Sequence, residues 1–169
     1  NVDTSDDNIN ISIVSADDSG TADEDVFNVN DAVFTSTTAG IKNADNISII
    51  GNSANNTFDI ATDVNGITTG LVSGAGGDDT FNINTGNISI NNLDGGGQGT
   101  AGDTVVGRNG TNNWDVDAVG GGALNTDVNF SNIENLNGND GDDNFSITGV
   151  GSVQSVHGGT TDTAGRNTL

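Results

Sequence analysis

The chain has no proline, cysteine, methionine or tyrosine, and among its 169 residues it has one tryptophan, one histidine and three basic side chains. Without cysteine there is neither a disulfide framework nor a thiolate metal site. With a single histidine, a zinc or other transition-metal centre would have to be built almost wholly from oxygen ligands. Three Lys and Arg against 24 Asp and Glu leave a formal charge of −21. That charge repels phosphate backbones, so nucleic-acid binding is excluded unless cations bridge the two. No run approaches the 18 apolar residues of a membrane span, and no signal-peptide pattern is visible. What remains is a structural, binding or carboxylate-based protein.

Acidic chains of low hydrophobicity are often disordered. Here Leu, Ile, Val and Phe make up 40 residues, just above the compositional range of disordered segments. Their placement matters more than their number. They fall in short alternating pairs separated by Asn, Asp and Gly, which together supply 75 residues. That is turn chemistry punctuating strands. No stretch of eleven residues carries a 3.6-residue period, so the chain reads as all-β.

The period-2 segments are Ile9/Ile11/Ile13, Phe27/Val29, Ile47/Ile49, Phe58/Ile60, Phe81/Ile83 and Ile88/Ile90. Trp114/Val116, Val128/Phe130, Phe145/Ile147 and a looser Val153/Val156 complete the series. Each offers about two inward side chains, as a short strand buried on one face does. Asn65-Gly66, Asn109-Gly110 and Asn137-Gly138 mark tight corners.

An internal repeat organises these strands. Asp78-Asp79-Thr80-Phe81-Asn82-Ile83 recurs as Asp142-Asp143-Asn144-Phe145-Ser146-Ile147. Weaker copies surround Phe27, Phe58 and Trp114, so the aromatic anchors are Phe27, Phe58, Phe81, Trp114 and Phe145, with gaps of 31, 23, 33 and 31 residues. Constant local motifs with irregular gaps suit a parallel β-helix, or β-solenoid, in which loop insertions leave a stacked core intact. At roughly 20–25 residues per coil the chain would make about seven coils and a rod of about 35 Å. The alternative is a tandem of β-sandwich modules, whose strands also alternate at similar spacing.

The chain stops at Thr168-Leu169, in the middle of a repeat. If a second copy were joined there, its Asp6-Asp7-Asn8-Ile9 would arrive where the next anchor is due. Residues 1–169 therefore read as a single unit that is one period of a longer array, with weaker repeats over 1–70 and clearer ones over 74–169. The expected partner is a further copy of the chain, end to end, whether linked covalently or stacked.

Two glycine-rich corners approach the calcium-binding nonapeptide G-G-x-G-x-D: Gly74-Ala75-Gly76-Gly77-Asp78-Asp79 and Gly138-Asn139-Asp140-Gly141-Asp142-Asp143. Asp supplies hard oxygen donors that Ca²⁺ prefers, which makes Asp78, Asp79, Asp140, Asp142 and Asp143 the candidate metal ligands. The competing reading is a Gly/Asp corner leading into a strand. Paired carboxylates also suggest glycosidase chemistry. Neighbours such as Asp78/Asp79 alternate faces in a strand, however, and no convergent acid, base and binding groups can be named. No catalytic residue and no organic cofactor is assigned, and the chain is not read as an enzyme. His157 occupies the slot of Asp94 in two matching elements, Leu93-Asp94-Gly95-Gly96 and Val156-His157-Gly158-Gly159, which makes it a corner residue. Threonine clusters (Thr35–Thr38, Thr68-Thr69) do not recur at one coil period.

The stretch Asp103-Thr104-Val105 to Asn112-Asn113-Trp114-Asp115-Val116, then Phe130–Gly138, Asp142-Asp143-Asn144-Phe145 and His157-Gly158-Gly159, resembles repeats of large bacterial secreted and surface proteins. These are of the filamentous-haemagglutinin and calcium-binding repeat adhesin type. The likeness covers residues 74–169 and fades over 1–70. It implies a parallel β-solenoid on the outer cell surface, serving as an adhesin stalk or matrix filament that meets cell-surface or matrix polysaccharide. It carries no catalytic residues to transfer.

Overall fold

A computed structural model describes residues 8–13, 26–29, 32–35, 47–62, 67–84, 86 and 88–159. The Asn65-Gly66 corner, the Asp6-Asp7 prefix and the Thr168-Leu169 step lie outside the described residues, as does the side chain of Phe27.

The described residues form strands and turns with no helix among them, and so no helix long and apolar enough to cross a membrane. In chain order the strands are β1 (Asn8–Ile13), β2 (Val26–Val29), β3 (Ala32–Thr35), β4 (Ile47–Ile50), β5 (Thr57–Thr62) and β6 (Ile67–Ser73). Next come β7 (Gly76–Gly77), β8 (Thr80–Ile83), β9 (Ile88–Asp94), β10 (Gly97–Gln98), β11 (Thr104–Val106) and β12 (Asn113–Ala118). The last are β13 (Gly121–Leu124), β14 (Val128–Ser131), β15 (Asn135–Asn137), β16 (Asn144–Ile147) and β17 (Ser155–His157).

Two large sheets and one small one result. The eight-stranded sheet runs β17-β15-β11-β8-β5-β1-β2-β3, parallel from β17 to β1. The seven-stranded sheet runs β16-β12-β13-β14-β9-β6-β4, and β10 pairs with β7 alone. From β4 onward the chain passes back and forth between the two large sheets. Such pairing of parallel strands requires a crossover at each step, and here strands of the opposite sheet supply it.

The alternation read from the sequence sets the core. In β8 the burial alternates, with Phe81 and Ile83 inward and Thr80 and Asn82 half-buried on the outer face. In-register pairing puts Phe58, Phe81, Val105, Leu136 and Val156 in one file. The Phe58 and Phe81 rings stack at 4.7 Å with 12° between their planes. The seven-stranded sheet contributes Trp114 over Phe145, stacked at 5.6 Å. The four anchors with described side chains are thus buried, and they form two stacks, one on each sheet.

Not every neighbour is parallel. β1-β2-β3 and β12-β13-β14 are antiparallel. The second meander turns at Asn125-Thr126, where φ is 52° and 68°. Two successive positive φ values are the mark of the tight hairpin turn whose twist matches its strands. The repeat step is 23 residues from Asn56 to Asp79 and 24 from Asp79 to Asp103. It lengthens to 31 residues from Asp103 to Glu134, because this meander intervenes.

Candidate functional site

Each entry into a parallel strand follows one local plan. The residue two positions before the first inward side chain is acidic or an amide: Asn56 before Phe58, Asp79 before Phe81, Asp103 before Val105, Glu134 before Leu136. Strand register stacks these four into a ladder at one edge of the eight-stranded sheet. Asn56 N donates to Asp79 Oδ1 at 2.7 Å, Asp79 N to Asp103 Oδ1 at 2.7 Å, and Asp103 N to Glu134 Oε2 at 2.9 Å. Every carboxylate reaches back to the amide of the layer before it, satisfying a backbone donor that the turn leaves without a ladder partner.

The ladder is dry. Asp79 and Asp103 are 1 % and 0 % exposed. Their Oδ1 atoms are bonded, whereas their Oδ2 atoms are buried without a hydrogen-bond partner. Burial pushes the Asp79 carboxyl up to about 6; the Asn56 N–H bond opposes this, and the charges of Asp103 and Asp78 add to it. Asp103 is likewise pushed up to about 6 by burial, against the Asp79 N–H bond and with the charges of Glu134, Asp78 and Asp94. Desolvation dominates in both, as expected for an acid removed from water without a cation beside it.

Asp78 behaves oppositely. Its carboxylate accepts backbone N–H groups from Gly102 at 2.7 Å, Ala101 at 3.1 Å and Thr100 at 3.2 Å. The Gly102 bond leads in holding its carboxyl below the ordinary carboxylate range. Adjacent residues in sequence therefore sit in contrasting environments. Asp78 wraps a loop around its charge, and Asp79 enters the interior.

The second acidic corner lies on the other sheet. Asp143 is buried, and its Oδ1 accepts both Asn112 N at 3.0 Å and Asn112 Nδ2 at 2.8 Å. Burial raises its carboxyl, opposed by those two bonds. Asp140 and Asp142 are exposed. Of the five candidate metal ligands, Asp78 and Asp79 thus share a corner with Asp103, while Asp140, Asp142 and Asp143 belong to the edge of the seven-stranded sheet. Among the described residues no group of three or more acidic or histidine side chains is arranged to hold a metal ion.

The glycine positions occupied by other residues keep the glycine conformation. Ala75 and Asn139 have φ of 72° and 69°. The corners are also fixed by a recurring i to i+2 bond. Asn52 Oδ1, Ser73 Oγ, Asp94 Oδ1 and Asn137 Oδ1 accept from the amides of Ala54, Ala75, Gly96 and Asn139. His157 Nδ1 accepts from Gly159 N at 3.0 Å. His157 thus makes the same turn as Asp94, through a ring nitrogen instead of a carboxylate.

Asp103 and Glu134 escaped the sequence reading as site residues. The signal was present in the polar-polar-apolar entries Asp103-Thr104-Val105 and Glu134-Asn135-Leu136. A shallow groove of about 390 Å³ over the β12-β13-β14 meander is lined by Asp115, Asp117, Asn129 and Asn132. On the outer face of the eight-stranded sheet, Thr57, Thr80 and Thr104 share one register and continue into Asn135 and Ser155. In comparisons with known protein families, curated proteins and solved structures, nothing matches this chain.

Proposed function

We propose that the chain is a β-solenoid unit of an extracellular structural fibre, an adhesin stalk or matrix filament on a bacterial surface, extended by further copies end to end. The observation that carries this reading is the layered register. Five successive strands, from β5 to β17, keep one inward file and one outward polar row while the chain visits the other sheet between them. Each layer hands its corner amide to the next layer's side chain, a rule that a following copy could continue. Strand stacking of this kind resists extension along its axis and presents a periodic outer face. The row Thr57, Thr80, Thr104, Asn135 and Ser155 repeats at about 4.8 Å and would offer hydroxyls and amides to a cell-surface or matrix polysaccharide. The function proposed is mechanical and interactive, without catalysis.

Electron microscopy and sedimentation over a wide concentration range test this. Thin fibres, or rods that lengthen with concentration and give a meridional reflection near 4.8 Å, are expected. A compact monomer at every concentration overturns end-to-end extension.

The density of carboxylates at the corners favours one second reading, a calcium-dependent adhesive module. At physiological ionic strength charges within about 8 Å still repel, so divalent cations would relieve the corners. A rise in melting temperature in millimolar calcium over chelator, without fibre formation, would favour that module. Identical melting in both removes calcium from the account.

A further inference from the structure

The orphaned oxygens of Asp79 and Asp103 face acceptors. A Cβ built on Gly74 would overlap both Asp79 Oδ2 and the Gly95 carbonyl oxygen, and one built on Gly95 would overlap both Asp103 Oδ2 and the Asn132 carbonyl oxygen. Each carboxyl oxygen thus shares a cramped, water-free space with a carbonyl of the next layer. Two acceptors brought together without a hydrogen between them repel, and a buried acceptor without a donor is costly.

The same fold element occurs elsewhere with an amide. Asn112 stands in the equivalent position on the other sheet, five residues after Gly107 as Asp79 is five after Gly74. Gly107 N donates to Asn137 O, just as Gly74 N donates to Asp94 O and Gly95 N to Ser131 O. In the Asn112 slot, Nδ2 donates to the next layer's carbonyl, Gly138 O, at 2.9 Å. The slot therefore calls for one acceptor pointing back and one donor pointing forward. An ionised aspartate supplies only acceptors; a protonated one supplies both.

We propose that Asp79 and Asp103 are neutral carboxylic acids in the folded protein, each donating Oδ2–H forward to the carbonyl of Gly95 or Asn132, so that the corner ladder is a pair of internal proton-binding sites. The charged groups facing them are Asp78, Asp94 and Glu134, all acidic. No cation among the described residues offsets them, since Arg108 pairs with Asp127 on the other sheet's side of the chain. A metal ion is a poor substitute for the proton. Gly74 and Gly95 leave no room for a methyl group beside the orphan oxygens, and the remaining carboxylate oxygens already accept backbone amides. The upward displacement of both carboxyls by burial agrees with this arrangement. The inference does not depend on whether copies associate.

The test is side-chain carboxyl NMR of the full chain from pH 3 to 8, together with urea unfolding of wild type, Asp79→Asn, Asp103→Asn and the exposed control Asp117→Asn. Both ladder carboxyls are expected to titrate near pH 6. Relative to wild type, both ladder variants should unfold at higher urea at pH 7 than they do at pH 4, whereas Asp117→Asn shows no such difference. Titration of both carboxyls at or below the ordinary 3.8 overturns the proposal, and so do ladder variants whose difference from wild type is the same at both pH values. If a variant does not fold, the wild-type titration decides alone. Repeating it in millimolar calcium chloride should leave it unchanged; a fall of both titrations below pH 4 would make the ladder a cation site and refute the proton assignment.

Discussion

Replacing Phe81 by alanine removes the ring that the layered core depends on most directly. Phe81 is fully buried, and its ring lies on Phe58 with centroids 4.7 Å apart. Truncating a buried phenylalanine costs about 3–5 kcal/mol, combining lost transfer energy with the cavity left behind. Collapse is restrained here, because the strands on either side of β8 are held by their own ladder bonds. For a domain of this length about 1 kcal/mol moves the melting temperature by about 2–4 °C, so Phe81→Ala should melt about 6–20 °C lower. The stacking itself is separable. A double-mutant cycle with Phe58→Leu and Phe81→Leu keeps most of the apolar volume and should leave a coupling of about 0.5–1.5 kcal/mol. Calorimetry and urea unfolding read both quantities. A loss under about 1 kcal/mol for Phe81→Ala, or a cycle that closes to zero, would show that these rings do not carry the stability of the stack.

Stability should fall as pH rises through 6. Asp79 and Asp103 have folded-state values near 6 against an ordinary 3.8, so between these limits the folded chain binds more protons than the unfolded one. The stabilisation is complete below about pH 4 and lost above 6, with an upper bound of about 3 kcal/mol for each carboxyl, measured by urea unfolding at pH 4 and 7. Ala75→Gly should stabilise by about 0.5–1 kcal/mol, because alanine at φ 72° carries a left-handed penalty that glycine avoids; thermal unfolding checks it. Arg108→Ala should cost about 1 kcal/mol, since Nη2 meets both oxygens of Asp127 at 2.9 and 3.1 Å in a half-buried pair. That loss should shrink in high salt.

Strands with two inward apolar residues behind an Asp or Asn prefix were legible in the sequence, because the two-residue period and the turn chemistry agree at Phe58, Phe81, Trp114 and Phe145. The division of these anchors between two sheets was not. The same entry motif serves both edges, and only the inter-strand register separates Phe58 and Phe81 from Trp114 and Phe145. β13 was hidden because Gly121 and Gly122 carry no side-chain pattern, and its hairpin turns at Asn125-Thr126 without a glycine. The acidic ladder was the hardest to foresee. Read singly, Asp79 and Asp103 look like solvent-facing or metal-binding groups. Their burial is a property of neighbouring layers that lie 24 residues apart in the chain.

The β12-β13-β14 meander has a geometric consequence. Between β9 and β16 the seven-stranded sheet takes four steps, through β14, β13 and β12, while β11 and β15 on the opposite wall remain directly paired. One wall therefore gains two strand widths, about 9–10 Å, over the other. Like masonry with two extra courses on one side, the stack leans toward its shorter wall. A filament repeating this unit would acquire a built-in bend at every repeat, whose spacing is set by chain length and whose direction is set by the placement of a single hairpin.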